Sequence, residues 1–188
     1  MEGNLLMTDV QIENIVVSFS IGTSLDLPKL AGLLPDAKYN TEETPVTVLE
    51  FPKPRAIATL FSNGGVVVTG PRSMDEVHEV VGTVLERLRV IDIHPVGSPE
   101  LQVQNVTASV HLHRPVNLRR CVKLLPNAQY EKKTFPGVVY TGEDPSVVLL
   151  LFDSGKIVGN GKSIDAVTRA LQNVGEKIVS FEVKKEEK

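Results

Sequence analysis

The sequence predicts an α+β protein made of one small unit written twice, with helices on one face of an antiparallel sheet. Three observations carry that reading. The chain repeats itself at a spacing of 91 residues, each copy has the order strand, helix, several strands, long helix, and the central strands are apolar on both faces. Asn14, Ser18, Leu33, Leu34, Pro35, Tyr39, Pro45, Phe61 and Gly64 recur as Asn105, Ser109, Leu124, Leu125, Pro126, Tyr130, Pro136, Phe152 and Gly155. After Gly70 the spacing falls to 90, so that Ser73, Asp75 and Val77 match Ser163, Asp165 and Val167. A period near 90 is the size of a small domain rather than of a solenoid unit. The Pro- and Gly-containing stretch from Pro95 to Pro99 reads as the joint, giving domains 1–97 and 98–188.

Each element follows from its pattern. Residues 11–21 alternate, with Ile15, Val17, Phe19 and Ile21 on one face and Asn14, Val16, Ser18 and Ser20 on the other. Asp26 is placed to cap a short helix that Pro35 ends. Three or four strands follow between about residues 44 and 69, divided by Pro52-Lys53-Pro54 and Asn63-Gly64-Gly65. Ser73 and Glu76 have capping-box spacing, and Val77, Val80, Val81, Val84, Leu85 and Leu88 form an amphipathic stripe. The second copy repeats the stripe with Val167, Ala170, Leu171, Val174 and Ile178. Phe19 and Phe181 are expected in the core, and the charged tail 183–188 as a frayed end.

A sheet covered by helices on one side normally turns polar residues to the other. Here strand parity puts Ile57, Phe61 and Val67 on the uncovered face of the first copy, and Val148, Leu150, Phe152 and Val158 on that of the second. The helices are too few to bury this face, so it is expected to bind something. Its centre is polar: Asn14 and Asn105 take equivalent places, with Val16, Ser18, Thr107, Ser109, Thr69 and Asn160 around them. A broad apolar surface with a few amides suits an opened minor groove, where A·T pairs offer only acceptors.

At these residues the chain resembles the TATA-box-binding protein family, in its archaeal-type core, over about residues 10–182. The segments that carry the resemblance include ENIVVSFSIGTSLDL, LLPDAKYN, ATLFSNGGVVVTGPRS, VQNVTASV, LLPNAQYE, FPGVVY and VVLLLFDSGKIVGNGKS. It implies a duplicated β-α-β-β-β-β-α repeat, a ten-stranded saddle with helices on its convex side, and minor-groove binding. Wedging of apolar side chains between base steps is a mode for which this family is itself a standing example. Carried over by position, Asn14 and Asn105 would make the central base contacts and Val16, Thr107, Val67 and Val158 would pack on the groove floor. Phe61, Phe135 and Phe152 would be the wedges, and Arg55, Arg72, Lys156 and Lys162 the phosphate contacts. Glu131 and Lys133 lie where the family meets a TFB/TFIIB-like factor, through which RNA polymerase would be recruited indirectly.

The chain also departs from the family pattern. Thr44 replaces a fourth Phe, Glu50 and Thr141 replace two arginines, Gly65 replaces a lysine, Lys133 an acidic residue, and the second-repeat counterpart of Thr69 is Asn160, preceded by Gly159. Strong engagement of DNA by the second repeat and weak engagement by the first is therefore expected. The alternative is a divergent paralogue with weakened DNA binding acting mainly as a protein-interaction or regulatory module, and a third reading is a regulator whose promoter preference is altered where Asn160 and Gly159 change the groove contact.

Charge agrees with that asymmetry. The net charge is −3, but residues 1–97 carry 7 Lys/Arg against 13 Asp/Glu, and residues 98–188 carry 13 against 10. Catalysis is not expected, because no nucleophile–base arrangement emerges. GNGKS at 159–163 lacks the first glycine of a phosphate loop, its place being Lys156. His111 and His113 share a strand face but have no third ligand at a natural spacing, so neither metal nor cofactor is expected. With one cysteine, Cys121, a disulfide framework is excluded. No apolar run approaches a membrane span, and no secretory leader is read at the N-terminus. An intracellular protein is expected, in the cytoplasm or nucleoid if archaeal and in the nucleus if eukaryotic. Its apolar face would allow the free protein to form a homodimer.

Overall fold

A computed structural model describes residues 9–142 and 144–186, with side chains described through Phe181. The chain divides into two compact units, residues 14–104 and residues 105 onward together with the segment ending at Glu13.

The first unit contains β1 (Gln11–Ser20), α1 (Leu27–Leu33), β2 (Ala37–Asn40), β3 (Val46–Pro52), β4 (Arg55–Phe61), β5 (Gly65–Thr69) and α2 (Met74–Val90). Its strands lie in the order β2-β3-β4-β5-β1, every neighbouring pair antiparallel. Alternation sets the faces. Ile15, Val17, Leu49, Ala58, Leu60, Val66 and Val68 are buried, while their odd-one-out neighbours Val16, Val48, Thr59 and Val67 keep partial exposure. The helices take the buried side. Thr47 Oγ1 donates to the Leu27 carbonyl of α1 at 3.0 Å, and the Arg87 guanidinium of α2 stacks 5.0 Å from the Phe51 ring centroid. Asp26 caps α1 by accepting from the Lys29 N–H at 3.2 Å. At α2, Ser73 Oγ accepts from the Glu76 N–H at 3.1 Å. Glu76 returns the bond to the Arg72 N–H at 2.7 Å rather than to Ser73, one residue earlier than the box predicts.

The second unit contains β6 (Gln102–His111), α3 (Leu118–Leu124), β7 (Val138–Thr141), β8 (Val148–Leu151), β9 (Lys156–Gly161) and α4 (Ile164–Glu186). Its order is β6-β9-β8-β7, again antiparallel. Where the first unit has β2, this one has a single bridge, Gln129 to Val139, so a full tenth strand is not formed among the described residues. The chain leaves the sheet edge there because the Glu131 carbonyl accepts from the N–H groups of both Thr134 and Phe135, closing a turn. α4 packs closely on β9: a Cβ on Gly161 would stand 2.8 Å from Val167 Cγ2, and one on Gly159 3.0 Å from Val167 Cγ1. Asp144 closes the β7–β8 turn, its Oδ1 accepting from the N–H (2.9 Å) and hydroxyl (2.6 Å) of Ser146. These bonds hold its carboxyl below the ordinary carboxylate range.

Two sequence expectations need correction here. Phe19 is core, at 5% exposure, but Phe181 is 40% exposed. It lies one turn past Ile178, the last buried residue of the stripe, and borders an open groove with Leu124. The charged tail does not fray at 183, since α4 continues to Glu186; residues 187–188 lie outside the described residues.

Candidate nucleic-acid interface

In each unit the face away from the helices is exposed and mostly apolar. On the first it presents Val16, Val48, Ile57, Thr59, Phe61 and Val67, with Ile57 at 42% exposure. On the second it presents Val139, Val148, Leu150, Phe152 and Val158, with Val148 at 36%. Register fixes this assignment: Ile57 pairs Thr69, Thr59 pairs Val67, Val148 pairs Asn160 and Leu150 pairs Val158. Residues paired across antiparallel strands share a face. Phe51 falls on the opposite face, 7% exposed under α2, so it supplies no ring here.

The polar centre differs between the units. Asn14 Oδ1 accepts from the Gly70 N–H at 2.7 Å and from Thr69 Oγ1 at 3.3 Å. Asn105 instead donates through Nδ2 to Thr107 Oγ1 at 3.3 Å, and Thr107 Oγ1 donates to Asn160 Oδ1 at 2.8 Å. All five side chains are half-buried and reachable from the exposed face. Two further bonds were not legible in the sequence: Gln104 Nε2 donates to Ser18 Oγ at 2.8 Å, and Ser109 Oγ donates to Glu13 Oε1 at 2.7 Å. The repeat offset relates them, since Glu13 and Ser18 stand 91 residues before Gln104 and Ser109.

Phe61, Phe135 and Phe152 are all half-buried, at the ends of their strands or in the loop before β7. Phe135 and Phe152 pack together, whereas the place of Phe135 in the first unit is the exposed Thr44. Arg55, Arg72, Lys156 and Lys162 are exposed, and the side-chain cation of none of them lies within 4.0 Å of a carboxylate among the described residues. Glu50 shares the exposed face with Val48 but does not stand alone: Lys38 Nζ reaches its Oε1 at 2.6 Å. Glu131 and Lys133 are exposed, joined by a Lys133 N–H to Glu131 Oε1 contact of 3.4 Å.

His111 and His113 do approach each other, with ring centroids 5.5 Å apart, but His111 Nδ1 accepts the His113 backbone N–H at 2.9 Å. No group of three His, Cys, Asp or Glu side chains suited to a metal occurs among the described residues. No helix among them is long and apolar enough to cross a membrane.

The chain matches the family model described as transcription factor TFIID (or TATA-binding protein, TBP) twice, over residues 9–91 and 100–181. It is 36% identical to a TATA-box-binding protein of Sulfurisphaera tokodaii, covering 92% of this chain and 88% of that one. It is 41% identical to a TATA-box-binding protein of Thermococcus sibiricus over 81% of this chain and 83% of that one. It is 40% identical to TATA-box-binding protein 2 of Haloferax volcanii over 90% and 92%. Among solved structures it is similar to Methanococcus jannaschii TBP, with a TM-score of 0.79 and 33% identity, over 92% of this chain and 99% of that one.

Proposed function

The chain belongs to the TATA-binding protein family, whose members are DNA-binding transcription factors and not enzymes, and from that premise we propose how this member works. It is a TATA-box-binding transcription initiation factor that engages an A·T-rich promoter duplex through the minor groove, bends it, and presents it to a TFB-like factor and RNA polymerase. The observation that carries this reading is the exposed face of each unit: apolar valines with Ile57 in the first and Leu150 in the second, beside amide groups, with half-buried phenylalanines at the margins.

The chemistry is that of a groove floor. Valine side chains pack on sugars and on base edges that lack an amino group. Each fully buried Phe contributes roughly 1.5–3 kcal/mol towards unstacking a base step. Asn14 donates to adenine N3 or thymine O2, both acceptors. Arg55, Arg72, Lys156 and Lys162 meet phosphates, and Glu131 with Lys133 meets the TFB-like partner. Four such cations give a log–log salt slope of about −4.

The test is titration of a TATA-type duplex and a G·C-rich control across a salt series, with end-labelled fluorescence transfer reporting the bend. Selective binding with a slope near −4 and a bend supports the reading. Absence of selective binding, with and without a TFB-like partner, overturns it in favour of a paralogue acting through protein contacts.

A further inference from the structure

Thr107 and Asn160 lie opposite each other in the β6–β9 register, and Asn105 stands two residues before Thr107 on the same face. The three side chains form a hydrogen-bonded row: Asn105 Nδ2 to Thr107 Oγ1 at 3.3 Å, then Thr107 Oγ1 to Asn160 Oδ1 at 2.8 Å. A threonine hydroxyl has a single proton to give. In this direction Asn105 Oδ1 is left as an acceptor and Asn160 Nδ2 as a donor, neither bonded among the described residues. Rotating both carboxamides reverses the row, leaving Asn160 Oδ1 and Asn105 Nδ2 instead. Either way the row leaves one carboxamide oxygen to accept and one carboxamide NH₂ to donate, neither bonded among the described residues.

The first unit cannot do this. Val16 stands where Thr107 does, and Thr69 where Asn160 does. Asn14 Oδ1 is occupied twice, by the Gly70 N–H and the Thr69 hydroxyl. A backbone N–H is always a donor, so it fixes the Asn14 amide with its NH₂ as the outward group.

In the minor groove an A·T pair shows only acceptors, and a G·C pair adds the guanine N2 amino donor. We infer that the Asn105–Thr107–Asn160 row is a specificity element that accepts a base-pair amino group, so that the second unit tolerates G·C where the first requires A·T. The inference rests on the minor-groove reading above, and it makes Asn160, a departure from the family pattern, a specificity-determining residue.

The experiment varies the amino group alone. In an A·T-rich duplex, adenines are replaced one at a time by 2,6-diaminopurine, which adds the minor-groove amino group without changing the major-groove hydrogen-bonding edge. In matched duplexes carrying single G·C pairs, hypoxanthine removes it. The expected result is two classes of position: in one the amino group weakens binding about tenfold or more, in the other less than about threefold. The Thr107→Val/Asn160→Thr variant, which copies Val16 and Thr69, should convert the tolerant class to the costly one. Its folding is checked by circular dichroism, and its ratio of modified to unmodified affinity is the readout. A uniform penalty in the parent protein overturns the inference while leaving minor-groove binding standing. So does a tolerant class that survives in the variant. Failure to bind the unmodified duplex overturns the minor-groove reading itself, and the inference with it.

Discussion

The rings of Phe135 and Phe152 meet edge to face, centroids 5.9 Å apart and planes at 61°, and Gly137 makes the space for them. A Cβ on Gly137 would stand 2.8 Å from Phe135 Cε1 and 2.8 Å from the Leu151 carbonyl oxygen. The repeat offset maps Gly137 onto Val46 and Phe135 onto Thr44. Val46 lies directly opposite Phe61 in the β3–β4 register. The first unit therefore differs at both residues of one arrangement, with a single ring beside a valine where the second unit has two packed rings.

Restoring the ring alone should fail for that reason. Thr44→Phe is expected to change DNA affinity by less than about twofold, because Val46 occupies the docking position. Thr44→Phe/Val46→Gly is expected to raise it about twofold to tenfold, the worth of one aromatic pair. Duplex titrations of the two variants decide it, and equal affinities would count against the coupling. The converse, Gly137→Val, should overpack the Phe135–Phe152 pair and cost about 1–3 kcal/mol in urea unfolding.

In the sequence Glu50 stands where the family pattern has an arginine. The structure pairs it with Lys38 at 2.6 Å, with the two side chains 68% and 56% exposed for the lysine and the glutamate. An exposed pair of this kind contributes roughly 0–1 kcal/mol, so Glu50→Gln should leave the melting curve nearly unmoved. It should free the Lys38 cation and steepen the log–log salt slope by about 1. An unchanged slope would show that Lys38 stays clear of phosphate.

Asp144 gives a pH prediction. Hydrogen bonds from the Ser146 hydroxyl and N–H lower its pKa from 3.8. A carboxyl with a depressed folded pKa contributes stability above its unfolded pKa, and that contribution is lost as pH falls through the folded value. The Asp144 side-chain NMR resonance should therefore titrate below pH 3.8. Ser146→Ala should move the midpoint back up by removing the hydroxyl; a midpoint that does not rise would assign the shift elsewhere.

What the sequence revealed and what it hid follow from how each interaction is encoded. Repetition and alternation are one-dimensional, so the two units, the faces of Phe61, Phe152, Ile57 and Val148, and the covered position of Phe51 could all be read from spacing. The role of Asn14 and Asn105 as a polar pair could be read too, but not their inequality. That inequality depends on whether a backbone N–H at Gly70 or a hydroxyl at Thr107 comes within reach, which only the β-sheet register decides. The Lys38–Glu50 pair was hidden for the same reason, its members lying twelve residues apart on neighbouring strands. The Thr44–Val46 coupling was hidden because Val46 reads as an ordinary strand valine until a Cβ is placed on Gly137. Phe181 kept the helical period of its stripe, and the period says nothing about where the covering sheet stops.

Gly64 and Gly155 close equivalent turns, and each should resist every substitution. Their φ angles are +84° and +88°, the left-handed region that L residues enter at a cost. A Cβ on Gly64 would collide with the Thr23 carbonyl oxygen, and one on Gly155 with that of Arg114. Each glycine carbonyl also holds a neighbouring strand end, accepting from Ile21 and Leu112 at 3.0 Å. Backbone strain and the loss of that hydrogen bond together predict about 2–4 kcal/mol lost for Gly64→Ala and for Gly155→Ala. Asparagine separates strain from collision, because it tolerates the left-handed region yet still carries a Cβ. Urea unfolding should find Gly64→Asn as destabilised as Gly64→Ala. Substantial rescue by asparagine would show that the carbonyl of Thr23 gives way and that φ alone sets the cost.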